Sequence, residues 1–259
     1  MELEDYVRGV VLAEMPAYFE AEALKAQAVA ARTYALRRMK LEDRHPGGAV
    51  CTESTCCQAW MSDEDYLTHR GTQRERDKIA AAVEATASLV LTYGGELAES
   101  TYFSCSGGRT EDALAVWGQE IPYLQSVVSP GEEQAAGYEQ QYHFTGPQCA
   151  AALGRELEGA PDRWLGKVSM TPGGGVASMV IGGITYSGVE LRKLLSLNST
   201  SFTMTADENG ITVTVRGRGH RVGMSQYGAD AMAAAGSRFH EILRHYYRGT
   251  EIDKWQEIG

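Results

Sequence analysis

The chain has 259 residues, 43% of them hydrophobic and 22% charged, with a formal net charge of −10. That is enough for one large domain or two modest ones with a sizeable core, while the acid excess argues against general nucleic-acid binding, which needs basic surface to displace counterions. No run is long and apolar enough to span a bilayer, and Glu-Leu-Glu-Asp at residues 2–5 is unlike a signal peptide.

The first expected element is a short helix over about residues 3–13, closed by Pro16. A long helix follows over about 20–38, EAEALKAQAVAARTYALRR, whose alanines favour helix and allow close packing. Leu24, Ala28, Ala31 and Ala35 mark one buried stripe, and Lys25 and Arg32, seven apart, share another face. Glu14 falls at the junction between the two helices. On spacing alone it reads as a helix-end acid, and Lys25 and Arg32 read as a solvated face.

The character changes over 41–60, a loop carrying His45, Cys51, Cys56 and Cys57. His45, Cys51 and Cys57 are six apart and Cys56 is the natural fourth donor, so the loop has the chemistry of a tetrahedral zinc site. Free buried thiols, or a Cys51–Cys57 disulfide in an oxidising compartment, are the alternatives. The chain's other cysteines are Cys105 and Cys149.

Ile79 to Ala87 reads as helical, and Leu89–Tyr93 as a strand turned by Gly94-Gly95 into a return over 97–103. The return runs into Ser104-Cys-Ser-Gly-Gly-Arg-Thr-Glu-Asp112, where paired glycines allow close approach to backbone amides, or simply form a capped turn. Cys105 does not look like a protease nucleophile, since no pattern ties it to His220. A polar, acidic connector reaches to about 140.

Residues 141–214 read as a smaller unit: a helix over about 146–158, strands over 164–171, 177–181 and 184–186, a helix over 188–195, and a hairpin of 201–206 with 211–216. Then Gly217-Arg-Gly-His220-Arg-Val-Gly-Met-Ser225-Gln226-Tyr227-Gly-Ala229 concentrates polar groups in a strand-to-helix turn without the Lys-Ser/Thr of a P-loop. One helix is expected from Ala229 to Tyr247. The fold class is α+β: a helical N-terminal part packed with antiparallel β-hairpins, and a smaller α/β subdomain. The expected division is 1–140 with the metal loop, completed by 215–259, and 141–214.

Four separated signatures coincide: Leu3-Glu-Asp-Tyr-Val-x-Gly-Val-Val-x-x-Glu14-Met-Pro16; Glu22-Ala-Leu-Lys25-Ala-Gln-Ala-Val-Ala-Ala-Arg32-Thr-Tyr34; Ser104-x-Ser106-Gly-Gly-x-Thr-Glu111; and Gly219-His220-x-Val-Gly-Met-Ser225-Gln226-x-Gly-Ala229. Together they resemble the stage II sporulation protein D family, whose relatives include the amidase enhancers, over nearly the whole chain. The resemblance implies a lytic transglycosylase that cuts peptidoglycan glycan strands already stripped of stem peptides, with Glu14 as acid and then base. The alternative is a noncatalytic amidase enhancer or glycan-binding module. Lys25 and Arg32 would bind substrate without pairing with Glu14, since close cations would lower its pKa. Tyr102, Ser104, Ser106, Gly107, Tyr123, Gln125, His220, Ser225, Gln226 and Tyr227 would line the glycan groove. Glu111 and Asp112 are the first places to seek a second carboxylate if the products were hydrolytic.

The same resemblance implies a structural zinc on His45, Cys51, Cys56 and Cys57, stage II sporulation proteins M and P as partners, and work outside the cytoplasmic membrane at the septal, forespore-engulfing face. It also implies an N-terminal membrane anchor, which is not among these residues. Two positions depart from the family pattern. Cys56 stands where relatives often carry His, and Arg221 replaces a glycine, where a bulky cation would reshape the groove or add a substrate contact.

Overall fold

The computed structural model describes residues 1–42, 45, 47 and 49–255. The fold is α+β, as expected, and the chain divides into two compact units, residues 1–102 with 229–259, and residues 103–228.

In the first unit, α1 (Leu3–Glu14) and α2 (Ala21–Leu41) are the two helices expected around Glu14. Acidic Glu4 and Asp5 occupy the first turn of α1, where the helix dipole favours them. The alanines of α2 beyond Ala21 are buried around most of its circumference, together with Gln27, Arg32, Thr33 and Arg38. The long helix is therefore the centre of the unit, with more than one buried stripe. Small side chains make this possible by letting α1, α4 (Gln73–Glu84) and the helix Phe239–Tyr246 approach closely.

A helical hairpin of α3 (Asp63–His69) and α4 follows the cysteine loop, and α4 opens with a capping box of Thr72 and Glu75. Strand β1 (Leu89–Tyr93) is central in a three-stranded antiparallel sheet, between β2 (Glu96–Leu97) and the strand Glu251–Lys254. Thr33 ties sheet to helix: its hydroxyl accepts from Leu91 N at 2.8 Å and donates to Val29 O at 2.7 Å. The single helix expected over 229–247 is two, Gln226–Ala234 and Phe239–Tyr246. Gly236 breaks it with a φ of 99°, a left-handed conformation that closes the first helix.

The second unit contains two three-stranded antiparallel sheets. One orders Glu139–Thr145, Gly210–Arg216 and Phe202–Asp207; the other orders Leu165–Met170, Val176–Ile181 and Ile184–Ser187. Leu153, Trp164, Val176, Ile181, Leu191, Phe202 and Val213 are among its buried core. The strand Glu139–Thr145 begins in the expected connector and has no element in the sequence reading; its first three side chains are exposed, and only Tyr142 and Phe144 alternate onto the core. The unit boundaries also differ from those expected. Residues 103–140 belong with the second unit because buried Glu111 and Glu132 are bonded into it, at Gly175 N and Arg221 and at Ser225.

Candidate active site and metal centre

Glu14 is the last residue of α1 and is half-buried, beside fully buried Met15. Two cations of the α3–α4 hairpin brace the backbone around it. Arg70 Nη1 donates to Ala13 O at 2.6 Å, and Lys78 Nζ donates to Ala17 O at 2.8 Å and Phe19 O at 2.5 Å. Pro16 ends the helix, and the chain turns with Phe19 N on Pro16 O at 3.1 Å. Tyr102 stands in the same neighbourhood: burial, and after it the charge of Glu14, hold its phenol well above the usual tyrosine range.

Lys25 is half-buried and pairs with Glu22 at 2.6 Å. Burial pushes the Glu22 carboxyl up, but the bonds from Lys25 and from Phe239 N outweigh it and hold it below its usual value. Arg32, expected to contact substrate, is turned to the interior in this structure. It is fully buried, donates to both Glu4 oxygens at 2.9 and 2.6 Å, and donates to Leu89 O at 3.1 Å. Helical spacing put Lys25 and Arg32 on one face correctly. The partners that cover the far end of that face come from α1 and β1, which no spacing within α2 reports.

In the second unit the hydroxyl-rich residues gather around a residue that sequence reasoning missed. Glu132 is buried in a short turn and accepts from Ser106 N at 3.0 Å, Ser106 Oγ at 2.6 Å, Gly108 N at 3.0 Å, Ser129 Oγ at 2.8 Å and Ser225 Oγ. Ser106 and Ser225 are thus fully buried and committed to Glu132, not exposed on a groove. Nothing in Gly131-Glu-Glu-Gln134 distinguishes this acid from exposed Glu133.

Tyr123 and Gln226 are buried as well, whereas Ser104, Gly107, His220 and Tyr227 keep partial exposure and Gln125 is exposed. Gln125 lines an open cavity of about 380 Å³ with Arg109, Asp112 and Ile121. His220 lies 5.5 Å between centroids from both the Phe103 and Trp117 rings, and its Nδ1 accepts from Val222 N at 3.2 Å. Cys105 is buried, which pushes its thiol up to about 12 and keeps it protonated.

Arg221 neither lines a groove nor meets solvent. It is buried with a φ of 68°, pairs with Glu111 at 3.0 Å, and donates to Ser106 O at 2.7 Å and to Arg109 O and Gly173 O at 2.9 Å. Burial pushes its guanidinium down from the usual value, against the pull of Glu111. Glu111, which also accepts from Gly175 N and Thr171 Oγ1, is enclosed in the same network.

The loop after α2 brings one donor atom from each of His45, Cys51, Cys56 and Cys57 within 4.8 Å of one another. A turn builds it: Cys56 N and Cys57 N both donate to Glu53 O, at 3.0 and 2.9 Å. All five cysteines are free thiols, so no Cys51–Cys57 disulfide is formed. The Glu53 N–H lowers the Cys51 thiol to about 7. Three thiols and an imidazole at these separations fit a tetrahedral metal ion, whose donors would lie roughly 3.5–4 Å apart along its edges. The cluster could hold such an ion.

The Stage II sporulation protein family matches residues 1–93. Stage II sporulation protein D of Bacillus subtilis (strain 168) is 42% identical over 257 residues, covering 97% of this chain and 74% of that protein. The same-named protein of Bacillus amyloliquefaciens is 39% identical with the same coverage. An amidase enhancer of Bacillus subtilis (strain 168) is 29% identical, over 96% of this chain and 40% of that protein. Identity of this order over nearly all of its length means that the chain belongs to the stage II sporulation protein D family.

Proposed function

We propose that the protein is a lytic transglycosylase that cleaves the MurNAc–GlcNAc bond of peptide-stripped glycan strands, with Glu14 as its acid and base. The observation that carries this is the seat of Glu14: it ends α1 half-buried beside fully buried Met15, in a chain of the stage II sporulation protein D family. A general acid must start protonated, and partial burial beside apolar groups favours the neutral carboxyl.

In this reading Glu14 donates its proton to the glycosidic oxygen as the bond to C1 breaks. The C6 hydroxyl of the same muramyl sugar attacks C1, and the Glu14 carboxylate takes the hydroxyl proton. The product is a 1,6-anhydro sugar, no water is consumed, and one carboxyl suffices where hydrolysis normally uses two. Enclosure of Glu111 with Arg221 fits a chemistry with no second carboxylate there. The half-buried Lys25 is the cation of α2 still within reach of a bound strand.

The His45–Cys57 cluster would hold a structural zinc: a filled set of four protein ligands leaves no open position for substrate or water. The setting is remodelling of septal peptidoglycan during engulfment, outside the cytoplasmic membrane, with stage II sporulation proteins M and P as partners. The similarity to an amidase enhancer favours a second reading, in which the chain presents glycan without cutting it. Mass spectrometry of products from peptide-free strands separates them. Anhydro-muramyl ends from the wild type and none from Glu14→Gln support the transglycosylase; binding without cleavage by either protein supports the enhancer.

A further inference from the structure

Three rings of the second unit touch in series and end at the surface. Phe103 is buried, His220 lies 5.5 Å from it between centroids, and Trp117 lies 5.5 Å from His220 with 42% of its surface exposed. The bond from Val222 N to Nδ1 holds the imidazole in place, so the indole rests on a fixed neighbour. Trp117 ends the short helix Ala113–Trp117, and Leu114, also exposed, sits one turn back on the same face. Leu114 lines the open cavity of about 380 Å³. Side chains three apart on a helix have Cβ atoms about 5–6 Å apart, which puts the indole at the border of that cavity.

The cavity sets aliphatic walls, Leu114, Ile121 and Leu124, against the polar groups Arg109, Asp112 and Glu120. Its frame is pinned: Thr110 N donates to Val127 O at 2.9 Å, and Ala113 N donates to Leu124 O at 3.0 Å. Asp112 Oδ1 accepts from Ser126 N at 2.5 Å, and Arg109 Nη1 donates to Ser126 Oγ at 3.2 Å. Asp112 Oδ2 and the remaining guanidinium N–H groups have no partner among the described residues. We propose that this cavity and Trp117 form a glycan subsite that takes an N-acetylglucosamine ring. The proposal rests on the reading that the protein acts on glycan strands, whether it cuts them or presents them. A pyranose offers a face of C–H groups, which packs on the indole and on Leu114. Its acetamido group combines a donor, an acceptor and a methyl. Asp112 Oδ2 accepts from the N–H, Arg109 donates to the carbonyl, and the aliphatic wall meets the methyl. Charge then selects between the two sugars of a strand. Asp112 and Glu120 outnumber Arg109, which disfavours the free lactyl carboxylate of a stripped muramyl residue and leaves the neutral sugar preferred.

The test measures binding by the full chain carrying Glu14→Gln, which removes the proposed acid and keeps the ligand whole. Chitotetraose, four N-acetylglucosamine units, is compared with cellotetraose, which has hydroxyls in place of the acetamido groups. NMR follows the indole N–H signals, with that of Trp117 assigned by its loss in Trp117→Phe. Chitotetraose should move the Trp117 signal, and cellotetraose should bind about tenfold more weakly. Trp117→Ala should weaken chitotetraose binding about tenfold, and Trp117→Phe about twofold. Asp112→Asn keeps an acceptor for Ser126 N but loses the one for the acetamido N–H. It should narrow the preference for chitotetraose and leave the cellotetraose affinity in place. A Trp117 signal that stays put, equal affinity for the two tetramers, or unchanged binding by a folded Trp117→Ala overturns the proposal. Should Trp117→Ala fail to fold, the Trp117 shift and the comparison of the two tetramers in the parent chain still decide. The transglycosylase reading fails on a different result, the absence of anhydro products from the chain that keeps Glu14, and that result leaves the binding measurement standing.

Discussion

Arg32 and Glu4 form a bidentate ion pair in which the guanidinium has no exposure while the carboxylate side chain keeps 41% of its own. The pair joins α1 to the middle of α2, and the bond from Arg32 to Leu89 O extends the tie to β1. Arg32 thus acts on the geometry of the first unit from inside.

Removing the cation should therefore damage stability more than binding. Arg32→Ala leaves Leu89 O without that donor and opens a void, at a cost of about 3 kcal/mol. Arg32→Lys recovers only part of it, since a point charge cannot reproduce the fork on Glu4. Denaturant unfolding checks the cost, and glycan affinity measured on the folded fraction should stay within twofold of wild type. A large loss of affinity with normal stability would return Arg32 to the substrate.

Glu132→Gln should be the most damaging single isosteric change in the second unit. The amide nitrogen would face donors, Ser106 N, Gly108 N or the serine hydroxyls, whichever way it turns. We expect a loss of about 3 kcal/mol, read as early loss of amide protection in residues 103–108 by hydrogen exchange. Glu133→Gln, one residue on and exposed, should be silent.

The cysteine cluster should bind about one zinc per chain, measured by atomic absorption after purification without chelator. Zinc at about a hundredfold over its Kd would add about 3 kcal/mol to stability, so a chelator should lower the melting temperature. His45→Ala and Cys57→Ser should each abolish that shift. A chain that takes up no zinc, and whose thiols react equally fast with and without it, would remove the metal from the account.

Acid should weaken the first unit partly through Asp63. Burial raises this carboxyl, but hydrogen bonds from Arg76 and Arg8 and their charges outweigh that and hold it below its usual value. A lowered folded-state pKa contributes stability that is complete above the unfolded value, near pH 4, and is lost as pH falls through the folded value. Asp63→Asn should accordingly be less stable than wild type at pH 7, with the gap closing below about pH 4. A gap that stays constant from pH 7 to pH 2 would show that the ion pairs contribute nothing.

Local signals carried far in this chain. Pro16 marks the end of α1, the alanine run marks α2, and Leu89–Tyr93 and the Asp207–Gly210 hairpin lie where alternation and turn residues place them. The break at Gly236 was less legible, because a lone glycine is tolerated within helices and only its left-handed φ reveals a stop. The strand Glu139–Thr145 was hard to read because only Tyr142 and Phe144 alternate onto the core, and its partner, Gly210–Arg216, supplies most of the buried face.

What the sequence determined by itself was the placement of Glu14 at a helix junction, the gathering of His45, Cys51, Cys56 and Cys57 in one loop, and the α+β class. These follow from helix propensity, proline geometry and short-range donor spacing, all properties of neighbours in the chain. Only the tertiary structure decided which polar residues are spent internally. Arg32 went to Glu4, Arg221 to Glu111, and Ser106 and Ser225 to Glu132. The partners are 28, 110, 26 and 93 residues apart. A buried charge or hydroxyl must find a partner to offset its desolvation, and over such separations packing, not sequence spacing, selects which one.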